Sequence, residues 1–238
     1  MGWIEHDHHD TDALIAAVEQ ALQHACRDAI RERGAAWLAL AGGRTPLPIY
    51  ARLAASAFDG TITAIPTDER CVPHEHPACN LRALREALAS NAALTANGIT
   101  REDGDETASL EQARAMLALN AQPFDFVLLG MGADGHFASL FPGAANLGDG
   151  LAPDSGLDAI ATLPDPLPPE APFARISLTL PRLLRARAIH LVVTGEDKRR
   201  VLRLAQQQDG GAATLATHVP VAALLHARDH RLQIHWSP

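Results

Sequence analysis

Four short apolar runs, each ending abruptly in glycine or charge, constrain this chain more than any other feature. AWLALA (36–41) stops at Gly42-Gly43, and TITAIP (61–66) stops just before Asp68-Glu69-Arg70. FDFVLLG (124–130) runs into Met131 and Gly132, and AIHLVVTG (188–195) runs into Glu196-Asp197-Lys198. Apolar runs without polar alternation suit strands covered on both faces, which is the condition of a parallel sheet. Helical spacing fills the gaps. Leu14, Ile15, Val18, Leu22, Cys26, Ala29 and Ile30 recur from Thr11 to about Arg33, with Thr11 or Asp12 as the starting cap and Gly34 as the stop. Asn80 is placed to cap LRALREALA, and further helices are expected over 105–121, 196–207 and 221–225. ARISLTL and RLQIHW add strands. The alternation predicts an α/β fold, a mostly parallel sheet with helices on both faces in a Rossmann-like three-layer sandwich. One domain is expected over 1–238, and the Pro-, Gly- and Asp-rich stretch 141–173 reads as a long surface loop.

The bulk chemistry excludes several classes. No apolar run approaches the roughly 20 residues that span a bilayer. The start, MGWIEHDHHDTD, lacks the basic-then-apolar layout of a signal peptide, so a cytoplasmic location and no membrane partner are expected. Its histidines, His6, His8 and His9, read as the composition of a flexible terminus. The net charge is −8 with Lys and Arg scattered, which argues against a nucleic-acid partner. It also means that any phosphorylated ligand must be held by local cations or main-chain N–H groups. Cys26, Cys71 and Cys79 are an odd number, expected to be reduced thiols. His74-Glu75-His76 has no second ligand pair at zinc-like spacing, and no metal is expected.

In such sheets ligands bind beyond the carboxyl ends of the strands, where all four clusters fall. Gly42 and Gly43 allow a sharp turn and close backbone approach, while Arg44 and Thr45 add donors suited to phosphate. Read alone, the same glycines make a strand-to-helix turn. Asp68, Glu69 and Arg70 can position one another and a substrate, or form a solvated turn. Gly130 to Gly135 matches G-x-G-x-x-G, but Pro142 cuts the following segment short and no acidic strand end lies about 20 residues on, so a dinucleotide is not expected. What remains is His136 as a general base with Asp134 to orient it. Ser139 lacks a G-x-S-x-G elbow and is not read as a nucleophile. Lys198 and Arg175, at strand boundaries, either reach the crevice or lie exposed.

Taken in order, AGGRTP, DERCVP with Asn80, LLGMGADGHFASLFPG and RISLTL followed by LVVTGEDK resemble the motifs of the 6-phosphogluconolactonase family, over residues 36–202. That family shares its fold with glucosamine-6-phosphate deaminases and isomerases. The chain departs from its pattern at Arg44 and Cys79, where serine is usual, and ASLFPG replaces the glutamate-bearing ending of the deaminases. The resemblance implies hydrolysis of 6-phospho-D-glucono-1,5-lactone in the oxidative pentose phosphate pathway, with no cofactor. A sugar-phosphate deaminase or isomerase, or a non-catalytic sugar-phosphate sensor, is the alternative. It implies His136, Asp134 and Arg70 as the catalytic set, with Arg70 or main-chain N–H groups at the oxyanion. Gly42, Gly43, Arg44, Thr45 and Lys198 would hold the phosphate, and Asp68, Glu69, Asn80 and Arg175 would complete the substrate site. A monomer or weak homo-oligomer is expected.

Overall fold

The computed structural model describes residues 2–168, 171–207, 218–227 and 232–238. Its strands are β1 (Trp3–Asp7), β2 (Ala35–Leu40), β3 (Thr61–Pro66), β4 (Asp68–Arg70), β5 (Leu94–Ala96), β6 (Phe126–Gly130), β7 (Ala159–Thr162), β8 (Arg175–Leu178), β9 (Ile189–Thr194) and β10 (Leu232–Ser237). The helices are α1 (Thr11–Arg33), α2 (Leu47–Ala54), α3 (Asn80–Leu88), α4 (Glu106–Leu119), α5 (Leu147–Leu151), α6 (Leu180–Leu184), α7 (Glu196–Gln206) and α8 (Val221–His226). A seven-stranded sheet runs in the order β1-β10-β9-β6-β2-β3-β5, every neighbouring pair parallel. Among the described residues no helix is long and apolar enough to cross a membrane.

Strand alternation divides the core between the two faces of this sheet. Leu38, Leu40, Phe126 and Leu128 pack with α1, α2 and α3. Ala39, Val127, Leu129, Leu191 and Val193 pack on the other face with residues of α4 to α8. Both faces of β2, β6 and β9 are therefore buried, which is why these strands read as unbroken apolar runs. The expected α/β architecture holds.

Five local expectations are corrected. The N-terminal segment is an edge strand, β1, paired in register with β10, with Trp3 covering one face of the sheet and His6 the other. Helix α1 is capped by Asp10, whose side chain accepts from Ala13 N at 2.7 Å, rather than by Thr11 or Asp12. The 141–173 stretch carries α5 and β7 in its described part, and Ala144, Leu147, Leu151 and Ile160 are buried there. Asp68-Glu69-Arg70 is not a strand-end loop of the main sheet but a strand of its own. It lies in a three-stranded antiparallel sheet, β4-β8-β7, which also takes ARISLTL out of the parallel sheet. Asn80, finally, starts α3 without capping it, for a reason that lies in β4.

Candidate active site

At the carboxyl ends of the parallel strands lies a cleft of about 370 Å³. The β2–α2 turn brings Gly42, Gly43, Arg44 and Thr45; the segment after β6 brings Gly132, His136 and Ala138; β9 and α7 bring Thr194 and Lys198. The small sheet supplies the opposite wall, with Asp68, Arg70 and Arg175, and Asn80 joins it from α3. The cleft lining holds the cations Arg44, Arg70, Arg175 and Lys198 against one carboxylate, Asp68. A chain of net charge −8 thus concentrates positive charge where an anion would enter.

Alternation along β4 decides which acid faces the cleft. Asp68 and Arg70 lie on one face, and Arg70 is the register partner of Arg175 across β4–β8. Glu69 points the other way and is fully buried. Its carboxylate accepts from Arg70 N (2.8 Å), Asn80 N (2.8 Å) and Leu81 N (2.7 Å) and from the Cys79 thiol (3.4 Å). The expected substrate contact at Glu69 is therefore corrected: it does not line the cleft and instead caps α3 from the strand that precedes it. Burial pushes its carboxyl up, opposed by those main-chain hydrogen bonds. The Cys79 thiol donates to Glu69 and does not line the cleft; burial pushes it up to about 11 and that of Cys71 up to about 12.

Asn80 is free to work in the wall because Glu69 does the capping. Its Nδ2 donates to Asp68 O at 2.8 Å, and its Oδ1 accepts from Arg70 Nη1, which also donates to Ala78 O at 2.8 Å. The Asn80 amide lies so close to Gly42 that a methyl there would collide with it. Gly43 has φ +96°, in the left-handed region that favours glycine. No main-chain N–H of Gly42, Gly43, Arg44 or Thr45 donates a hydrogen bond among the described residues. Such a row of free N–H groups forms an anion-binding concavity.

On the facing wall, His136 Nδ1 lies 2.6 Å from Asp134 Oδ1, and the same oxygen accepts from His136 N at 3.1 Å. An imidazole that donates Nδ1–H to a carboxylate keeps its lone pair on Nε2. Burial raises the Asp134 carboxyl, but the hydrogen bond and charge of His136 outweigh this and hold it below the usual value. Burial also lowers the Lys198 ammonium, with Asp134 opposing, and lowers the Arg175 guanidinium, with Asp68 opposing. Asp134 stands behind His136 and does not line the cleft. No helix follows β6 directly, since 131–146 is turns and loop up to α5, so the G-x-G-x-x-G run presents no helix N-terminus.

The family model for glucosamine-6-phosphate isomerases/6-phosphogluconolactonase matches residues 9–236. This chain belongs to that family. A 6-phosphogluconolactonase of Pseudomonas putida is 35% identical over 98% of this chain and 92% of its own length. One from Caulobacter vibrioides is 36% identical over 94% and 93%. The crystal structure of a 6-phosphogluconolactonase from Shewanella baltica superposes with a TM-score of 0.87 at 30% identity, covering 99% of this chain and 97% of that one.

Two features of this family member's site escaped the sequence reading. Ser139, fully buried, donates to Asp68 Oδ2 at 2.5 Å, and its own N–H donates to Ser177 Oγ at 3.1 Å. It ties the segment that carries His136 to the wall that carries Asp68, a contact between residues 71 positions apart for which local spacing holds no signal. Thr194, at the end of β9, lines the cleft beside Lys198 and was legible only as the last residue of an apolar run.

Proposed function

We propose that this chain hydrolyses 6-phospho-D-glucono-1,5-lactone to 6-phosphogluconate, acting as a single unit in the cytoplasm. The observation that carries the reading is the hydrogen-bonded Asp134–His136 pair opening onto a cleft lined by four cations. In this reading the phosphate lies on the free N–H groups of 42–45 with Arg44 and Lys198, and the lactone ring reaches across to His136. A water attacks the carbonyl carbon while Nε2 takes its proton, giving a tetrahedral oxyanion. Arg70 keeps Nη2 uncommitted among the described residues, and that group serves the oxyanion. Collapse of the intermediate breaks the ring C–O bond, and His136 returns the proton to the departing oxygen. The chemistry requires no metal or cofactor. Ser139 supports water as the nucleophile, because its hydroxyl is buried and committed to Asp68. Leu140 and Phe141 are buried apolar side chains, so this segment offers no second acid of the kind a deaminase would use. Free cysteines fit a reducing compartment.

The test is an assay with freshly generated lactone, corrected for its spontaneous opening. Acceleration over buffer is expected, and none would overturn the reading. Gly132 offers a sharper check. A methyl on it would occupy the space of His136 Cε1 and Nδ1 and lie 2.6 Å from Asp134 Oδ1. Gly132→Ala is expected to lower kcat at least about tenfold by displacing the pair, since displacements near 1 Å can cost on the order of a hundredfold. KM should move little; an unchanged kcat would show that the pair is not the base.

A further inference from the structure

His136 is held on its Nδ1 edge by Asp134, but its ring face meets a residue that the mechanism has not used. The Phe141 ring lies with its centroid 4.2 Å from that of His136, tilted by 37°. The same ring receives Arg175, whose Cζ sits 5.4 Å from the Phe141 centroid. Arg175 is buried at 4% exposure, and its hydrogen bonds go to the carbonyls of Phe173 (3.3 Å) and Ala171 (3.0 Å), with no carboxylate among its partners in the described residues. Its register neighbour in the wall is another cation, Arg70. A guanidinium so placed gains from the electron-rich face of an aromatic ring. Phe141 itself is 6% exposed and does not line the cleft, so it acts on a substrate only through what it touches.

We propose that Phe141 is a positioning residue that couples the general base His136 to the cleft arginine Arg175 by presenting one aromatic ring to both. The assignment rests on the lactonase reading and on the two ring contacts. The imidazole has one polar anchor, at Nδ1, and rotation about that anchor would swing Nε2 away from the attacking water; the Phe141 ring blocks that rotation. When His136 takes the proton, the resulting imidazolium lies against a π system that favours a cation. On its other contact the ring fixes Arg175, which arrives from β8 hydrogen-bonded only to main-chain carbonyls among the described residues, with Asp68 acting on it through charge alone. One side chain therefore sets the relative position of groups carried by the β6 segment and by the small sheet.

The experiment compares wild type, Phe141→Leu and Phe141→Tyr, with each protein first shown to be folded by its thermal transition. Lactonase kinetics give kcat and KM, and calorimetry with 6-phosphogluconate gives binding in His136→Ala and His136→Ala/Phe141→Leu backgrounds. Loss of the ring should lower kcat about tenfold and weaken product binding about threefold, in line with typical aromatic and cation–π contributions. Phe141→Tyr, which keeps the ring, should stay within about threefold of wild-type kcat, a range far smaller than the general-base contribution. The weakened product binding should persist without His136, because it acts through Arg175. An active wild type with an equally active Phe141→Leu would overturn the positioning role. Equal losses in the Leu and Tyr variants would also overturn it, since they would trace to packing rather than to the ring. An inactive wild type would instead overturn the lactonase reading, while the product-binding comparison would still test the Arg175 contact.

Discussion

His136→Ala is expected to lower kcat by about 10²–10⁴-fold, the usual worth of a positioned general base. KM should change by less than about threefold, because Gly42 to Thr45 and Lys198, the groups that would bind phosphate, make no hydrogen bond to the imidazole among the described residues. The asymmetry follows from the geometry. Asp134 fixes the ring through Nδ1, so the remaining nitrogen has proton transfer as its only task, and that interaction exists in the transition state rather than in the bound ground state. Steady-state kinetics over a range of substrate concentrations, with the spontaneous rate subtracted, would check it. An unchanged kcat would remove His136 from the mechanism, and a rise in KM alone would recast it as a binding group.

The second large effect concerns stability in acid. His6 from β1, His8 just beyond its end, His235 from β10 and His190 from β9 lie on the sheet face near α1, beside Gln20, Gln233 and Arg187. Their rings stack on that of His235 at centroid distances of 4.7, 5.3 and 5.1 Å for His6, His8 and His190. His235 is hydrogen-bonded at both nitrogens, to His8 at 3.1 Å and to His190 at 3.0 Å, and His190 stacks on Phe126. Burial, then the neighbouring imidazoles, lower His190 from 6.5 to about 4 and His235 from 6.5 to about 3; burial also lowers His8, with Asp7 opposing. The unfolded chain therefore binds more protons than the folded one below pH 6.5. Stability is complete above that pH and is lost progressively as pH falls toward the folded-state values. By linkage, the loss from each of the two buried rings between pH 7 and 4.5 is on the order of 2 kcal/mol. Urea unfolding across this range should show the fall, and His235→Gln should flatten it. A His235→Gln profile parallel to wild type would show that other groups set the acid limb.

That cluster also shows where the sequence was silent. MGWIEHDHHDTD has the composition of a loose terminus, and nothing local says that residues 3–7 pair with 232–236 across the whole length of the chain. The strand runs were legible for the opposite reason. AWLALA and FDFVLLG carry their burial on both faces in their own composition, and each ends where a glycine or charge begins. The nucleotide-like G-x-G-x-x-G could be set aside because Pro142 precludes a long helix, and the structure has none there. Asp68-Glu69-Arg70 was legible as a charged group but not as a strand, since three residues are too few to show a period.

The amino-acid sequence by itself determined the family, the parallel sheet and the strand ends from which Gly42 to Thr45, His136 and Lys198 enter the cleft. These follow from local pattern: apolar period, turn residues and contiguous motifs. Only the tertiary structure decided that Asp68 faces the cleft while Glu69 turns inward to cap α3, that Asn80 is released from capping, that Ser139 bonds to Asp68 and that the Phe141 ring touches both His136 and Arg175. Each of these depends on a contact between separate segments, some as far apart as Asp68 and Ser177. The orientation of a side chain across such a contact is fixed by strand pairing and packing, not by the residues on either side of it.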